Sequence, residues 1–430
     1  MKKNKLLYCL FFLFTQSIQA QNAKIIIKDV NLITMTSNTV QPMKSVLIEG
    51  GKITQINAFK KLSKDKNTVI IDGRGKYLMP GLADMHAHLG DGNDVDTLLL
   101  ASVAAGITHV RVLDSDIKYP ALKTRLKTPN YIAPDIHFSS LITRDNKYDK
   151  SQLDSLVMAA KADGISLIKV KGITDETQFD HLMQLVSSNN MMICGHYPML
   201  VQFGKAVPLD VTKVMKSGYR SIEHLGGYDK LTDEKQLLEA IQLTKAQNLF
   251  NCPTLDWDKM AYNQQYPTDY KNRLVYQYAP KKYLDKWEKE YTEFIQQYGD
   301  KAIADNKQSY IPIYEKKQKI FKQLYENNCP LLIGGDGGGF FQMNGFNIYD
   351  EMYNWSKIGV DNFTILKSST LTPAQFFKED KSWGTIEIGK NGDVILLAKN
   401  PLEDIKNIIS LELTIMKGQV YRKADLMKRL

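Results

Sequence analysis

Cysteine is scarce in this sequence. There are four in 430 residues, and one of them, Cys9, lies in a short N-terminal apolar run. The other three, Cys194, Cys252 and Cys329, are odd in number and far apart, which argues against a disulfide framework and leaves them as core thiols. Long hydrophobic runs are missing too. Past residue 20 no stretch approaches the length of a membrane span, so the mature chain is expected to lack one. Nor is there a clustered basic stripe interleaved with aromatics. Lysines are scattered along helical segments among acids, which reads as solvated faces and argues against a nucleic-acid partner.

What is present begins with a basic start, Met1-Lys-Lys-Asn-Lys5, then the apolar run Leu6 to Phe14, then Ile18-Gln-Ala20 before Gln21. This pattern predicts a signal peptide over 1–20, cut after Ala20, and a secreted or periplasmic protein. Cys9 follows Tyr8 and lacks the small preceding residue of a lipid-anchor site. Removing Lys2, Lys3 and Lys5 lowers the net charge from +9 to 9 − 3 = +6. The 43% hydrophobic and 24% charged residues suit a soluble globular protein with a sizeable core.

Short strand-like pieces follow: Lys24–Lys28, Val30–Met35, Ser45–Glu49, Lys52–Ile56 and Val69–Asp72, with Gly50-Gly51 as a hairpin signal. From Leu78 apolar runs alternate with amphipathic stretches such as Ser151–Ala162 and Asp175–Ser187. The runs are Leu78–His88, Ile107–Asp114, Asp135–Ile142, Ile165–Val170, Met191–His196, Ser221–His224, Leu249–Pro253 and Leu331–Asp336. Eight such alternations predict an α/β fold, a (β/α)₈ TIM barrel. The interval Leu255–Asn327 is too long for one crossover and predicts an insertion over about 256–308, helical in Tyr278–Tyr298. The tail returns to β in Asp393–Ala398, Ile409–Met416 and Gln419–Arg422. Short strands at both ends predict a small β-sandwich domain from 21–77 and 384–430, with the barrel over 78–383 between them.

The ends of the barrel runs carry the chemistry. His86 and His88 alternate onto one face of a strand and form half of a divalent-metal site. Lys169, His196, His224 and Asp336 end later runs. The intervals are 81, 27, 28 and 112 residues, against ~31 per strand–helix unit, so all six groups fall at the same end of their strands. Neutral imidazoles bind Zn²⁺ or a similar ion. A lysine among them makes sense only where burial lowers its pKa and the free amine reacts with CO₂ to give an anionic carbamate. Alternation puts Lys169 and Lys171 on one face, so periodicity alone does not separate them. Asp336 can hold a metal and take a proton from the attacking water. His109, His137 and His181 lack such positions and read as ordinary.

Taken in order, several segments resemble the amidohydrolase superfamily, in particular its imidazolonepropionase-like branch with metal-dependent Xaa-Pro and Xaa-Arg dipeptidases. They are Asp72–His88, Ala104–Arg111, Ile168-Lys-Val170, His196, Ile222-Glu-His224, Pro253-Thr-Leu255, Gly335-Asp336, Leu371-Thr-Pro-Ala374, Gly384–Val394 and Asn400–Asp404. The resemblance implies His86 and His88 on the more buried metal and Lys169, rather than Lys171, as the N-carboxylated ligand. It implies His196 and His224 on a second ion and Asp336 as the catalytic aspartate. Three features depart from the family pattern: Asn347-Ile-Tyr-Asp-Glu351, Tyr197-Pro198 after His196, and the large insertion.

The expected activity is metal-dependent hydrolysis of a C–N amide bond in a dipeptide or N-acyl amino acid, with one or two ions, Zn²⁺ first. Arg144, Tyr197 and Lys205 are candidate substrate contacts. A cyclic-amide or lactone hydrolase is the alternative, and a non-catalytic binding protein is a third. The partner is a small molecule or short peptide, and a homo-oligomer is compatible with the sequence.

Overall fold

The structure is a computed structural model that describes residues 24–430 apart from 63, 91–93, 116–118, 144–147, 203–204, 262–269 and 339–340. The segment 1–20 and Arg144 lie outside the described residues, as does the side chain of Lys205.

Strands from both termini pair into one connected eight-stranded sheet. The N-terminal part supplies β1 (Lys24–Leu32), β2 (Gln41–Glu49), β3 (Lys52–Asn57), β4 (Val69–Asp72) and β5 (Tyr77–Pro80). β1 pairs with β2, β4 and β5, and β2 turns through Gly50-Gly51 into β3. Alternate residues Ile25, Ile27, Val46, Ile48, Leu396 and Leu413 form an apolar core of this unit, as the two-residue period of strands requires.

The barrel is a seven-stranded parallel sheet. Its strands are β6 (Leu82–Ala87), β7 (Ile107–Ser115), β8 (Asp135–Ile142), β9 (Leu167–Val170), β10 (Met192–Gly195), β13 (Ser221–Glu223) and β14 (Phe250–Cys252). The short β11 (Met199–Gln202) and β12 (Lys205–Pro208) form a separate hairpin after β10, which the sequence reading did not anticipate. Helices Val95–Ala104, Pro120–Arg125, Lys150–Ala162, Glu176–Ser188, Val211–Lys216, Glu234–Ala246 and Lys281–Glu326 fill the crossovers. Local chemistry starts many of them. Asp149, Asp175, Asp210 and Asp233 each cap the first turn by accepting a backbone N–H, a contact of about 1 kcal/mol. In Glu176–Ser188 the buried Phe179, Leu182 and Val186 share the face that packs on the sheet.

The eighth run does not form a regular strand. It makes one isolated bridge, Leu331 to Asn251, yet its backbone is bonded on both sides. Leu332 N donates to Asn251 O, Met85 N to Ile333 O and Asp336 N to His86 O, at 2.9, 2.9 and 2.7 Å. The segment thus fills the gap between β14 and β6 and nearly closes the barrel. Ala83, Met85, Leu113, Leu167, Phe250, Leu332 and Phe376 pack together in a second core.

After β14 come a short helix, Leu255–Ala261, and the 46-residue helix Lys281–Glu326, which Gly299 (φ 75°, ψ 155°) kinks into two. The helical expectation for Tyr278–Tyr298 matches its first half. In the tail β15 (Val394–Leu397) pairs with β5 and with β16 (Leu411–Met416), and β16 with β17 (Gln419–Arg422). Cys194, Cys252 and Cys329 are buried free thiols. Among the described residues no helix is long and apolar enough to cross a membrane.

Candidate active site

The ends of the barrel strands converge on a cavity of about 530 Å³. His86, His88, His196, His224, Asp336 and Tyr197 all line it. Ring centroids of His86 lie 5.2 Å from His88 and 4.9 Å from His224, and His196 stands edge-on to His224 at 5.0 Å.

Two of these rings are held the same way. His86 Nδ1 is 2.9 Å from Glu223 Oε2, and His88 Nδ1 is 3.0 Å from Asp114 Oδ1. Their Nε2 atoms lie 3.5 and 3.1 Å from Asp336 Oδ1. A carboxylate on Nδ1 fixes the ring and leaves Nε2 for a ligand. His224 rests its Nδ1 on Thr254 Oγ1 at 2.6 Å. Burial pushes the imidazoles of His86 and His224 well below their ordinary range, so they are neutral, the form that binds metal. Burial acts on His88 too, but the Asp114 and Asp336 carboxylates outweigh it and raise His88 to about 9. A metal competes with that proton.

Lys169 lies on β9, with Leu141 and Cys194 as its neighbours on the flanking strands. It has no exposed surface, and its Nζ has no hydrogen-bond partner among the described residues. Burial lowers its pKa, toward the free amine. Lys171, which alternation could not distinguish from it, lines the cavity instead.

Backbone geometry concentrates at the same place. His224, Leu225, Thr254 and Asp336 all have positive φ, at 61°, 57°, 47° and 47°. Left-handed backbone at non-glycine residues costs about 1–3 kcal/mol each and persists where the surroundings impose it. Two glycines allow the strands to approach. A Cβ on Gly195 would lie 2.2 Å from Val170 O, and one on Gly334 would lie 2.5 Å from Cys252 Sγ and 2.6 Å from His86 Cβ.

Behind the imidazoles sits a buried network that sequence reasoning did not single out. Arg111 donates to both oxygens of Glu223 at 2.9 Å and to Ser221 Oγ at 2.8 Å. Ser221 Oγ donates to Glu223 Oε1 at 2.6 Å. Asp84 accepts the backbone N–H groups of His86 and Gly335 at 3.1 and 2.9 Å, tying β6 to the eighth segment. Burial raises Asp84 to about 7. Trp257 stacks obliquely on His224 at 5.2 Å. The available signal was position: Asp114 ends its apolar run as the other site residues do, and Glu223 precedes His224. Tyr197 turns its hydroxyl away, donating to Leu209 O at 2.6 Å, so its ring is what faces the cavity.

The donor set suits a divalent metal. Ligand atoms of His86, His88 and Asp336 lie within 4.8 Å of one another. Neutral imidazoles, a carboxylate and a buried amine without a partner are the groups such an ion would satisfy.

Comparison with known proteins agrees with this geometry. A family model described as "Amidohydrolase family" matches residues 77–421. The 5-methylthioadenosine/S-adenosylhomocysteine deaminase of Caldanaerobacter subterraneus subsp. tengcongensis is 22% identical over 417 residues, covering 87% of this chain and 85% of the relative. Among solved structures, a Xaa-Pro dipeptidase with bound methionine superposes with TM-score 0.69 at 19% identity, over 93% of this chain and 100% of that one. Molinate hydrolase superposes with TM-score 0.70 at 16% identity, over 94% and 96%.

Proposed function

This chain belongs to the amidohydrolase family, as an enzyme acting on carbon–nitrogen bonds, and from that premise we propose that it cleaves the amide of a dipeptide or N-acyl amino acid with a metal-activated water. One observation carries the reading: four histidines and Asp336, delivered by the ends of four barrel segments, line a single cavity beside a fully buried lysine amine that has no partner among the described residues.

His86, His88 and Asp336 would hold one ion, with Zn²⁺ the first choice for imidazole ligands, and His196 and His224 would serve a second. Such an ion supplies a Lewis acid and a water that ionises near neutral pH. Lys169 would join as a carbamate. The lone pair of its neutral amine adds to the carbon of CO₂, an N–C bond forms, and one N–H proton leaves to solvent. The product is an anion where an ammonium would oppose a cation.

The proton work is assigned to Asp336. Its carboxylate sits between the Nε2 atoms of His86 and His88 and faces the cavity. It accepts a proton from the attacking water and returns it to the amine nitrogen as the C–N bond breaks. One water is consumed, and an acid and an amine leave. Trp257, Met199 and the ring of Tyr197 give the cavity apolar wall that limits water around the leaving group.

The test is metal analysis of the purified protein with a substrate panel of N-acyl amino acids, dipeptides, cyclic amides and lactones. Metal content with turnover of the first two classes supports the reading. Asp336→Asn should cut turnover by about 10²–10⁴-fold with the fold retained. A metal-free active protein, or full activity in Asp336→Asn, would overturn it. A second reading, hydrolytic deamination, has in its favour the relative named a deaminase, which matches along most of its length. Ammonia release from adenosine-type substrates distinguishes it.

A further inference from the structure

Three lysines line the cavity: Lys171, Lys230 and Lys317. Two have anionic partners. Lys230 Nζ is 2.8 Å from Asp229 Oδ2. Lys317 Nζ bonds both oxygens of Asp258, at 2.6 and 2.7 Å. Lys171 is different: among the described residues its side chain has neither an ion pair nor a hydrogen bond, although it is half-buried. A cation partly withdrawn from water without a counter-charge is costly, and an anion entering the cavity relieves that cost.

Its position fits a particular anion. The backbone N–H of Lys171 donates to Ile142 O at 2.9 Å, so extended pairing with β8 continues beyond the end of β9. Its Cα therefore stands about 6.6 Å beyond that of Lys169, two residues further along the strand toward its C-terminal end. In an N-acyl amino acid or a dipeptide the α-carboxylate is separated from the scissile carbonyl by only the nitrogen and one carbon. With the carbonyl beside Asp336, the carboxylate carbon is three bonds away within the same cavity, which Lys171 also lines. Three acids line the same cavity, and each already faces another group: Asp336 lies 3.1 Å from His88 Nε2. Asp229 is held by Lys230, and Glu223 by Arg111.

We propose that Lys171 is the specificity-determining residue that binds the α-carboxylate of the substrate on the leaving-amine side. This rests on the amide-hydrolysis reading above. It makes Lys171 a ground-state anchor, which takes no part in the proton transfers. Substrates with a free carboxylate are favoured over their neutral carboxamides.

The matched pair N-acetyl-L-leucine and N-acetyl-L-leucinamide tests this, read as acetate release by wild type, Lys171→Met, Lys171→Gln and Lys171→Arg. The two neutral variants should raise KM for the acid at least about tenfold, near 1.4 kcal/mol, and leave the carboxamide within about twofold. Lys171→Arg should keep the preference for the acid. Parallel losses on both compounds, or no change on either, overturn the anchor while the hydrolase reading stands. If wild type cleaves no member of the substrate panel, the hydrolase reading fails. The same pair is then compared as ligands by calorimetry, and equal affinity for acid and carboxamide overturns the anchor by itself. A preference for the acid that vanishes in Lys171→Met upholds it.

Discussion

Replacing Glu223 with glutamine removes the hub of the network behind the imidazoles, and the consequence can be worked from its contacts. Glu223 has no exposed surface and accepts from Arg111, Ser221 and the Nδ1 side of His86. Arg111, equally buried, has no other carboxylate within ion-pair distance among the described residues. The amide keeps the shape but not the charge, so a guanidinium is left buried without a counter-ion. Breaking one side of a buried pair costs about 3–5 kcal/mol. A second effect follows, because the glutamine amide does not hold the His86 tautomer as a carboxylate does. Loss of an outer partner of that kind typically lowers metal affinity by about 10–100-fold. The assays are urea unfolding of wild type and Glu223→Gln, and competitive metal titration of both. An unfolding free energy within about 0.5 kcal/mol of wild type together with unchanged metal affinity would refute the reasoning.

At the other end of β7, His109 is buried and stacked on Trp383 at 3.7 Å, and burial lowers its pKa to about 3. The unfolded imidazole takes a proton below about 6.5, so this group's contribution is complete above that pH and is lost as pH falls toward 3; at about pH 5 the loss is roughly 2 kcal/mol. His109→Phe should keep the stack and flatten the fall in urea stability between about pH 8 and pH 5, and an unchanged pH dependence contradicts the assignment. Gly334→Ala forces a methyl against Cys252 and His86, so a stability loss of about 1–3 kcal/mol and lost turnover are expected; a variant with wild-type melting temperature and activity would show that the strands relax freely there.

The barrel could be read from the chain because buried parallel strands are apolar runs, and their spacing put His196 and His224 one unit apart. Other features depend on how strands register against one another. Arg111 and Glu223 are 112 residues apart in sequence and meet only because β7 and β13 face across the interior. Alternation placed Lys169 and Lys171 together, and only depth separates them, one wholly buried and one at the cavity wall. The eighth run looked like a strand from its apolar residues, but Gly334-Gly335 and the left-handed Asp336 interrupt regular pairing. The hairpin Met199–Pro208 was hidden because its short strands carry no clear alternation and follow Pro198 directly.

The sheet shared by the two termini has a consequence for how the chain is made. β5 waits for β15, more than 300 residues downstream, and Lys52 Nζ reaches Asn391 Oδ1 at 2.6 Å across 339 positions. At about 5–20 residues per second, a ribosome leaves the edge of β5 without its partner for tens of seconds. During that interval the intervening barrel strands, whose neighbours are close in sequence, can assemble first. The exposed edge is then a template for any other extended chain nearby. A polypeptide halted before β15 would carry a completed catalytic cavity and an unprotected seam, so loss of the residues from Val394 onward, 430 − 393 = 37 of them, should be read out first as aggregation rather than as lost chemistry.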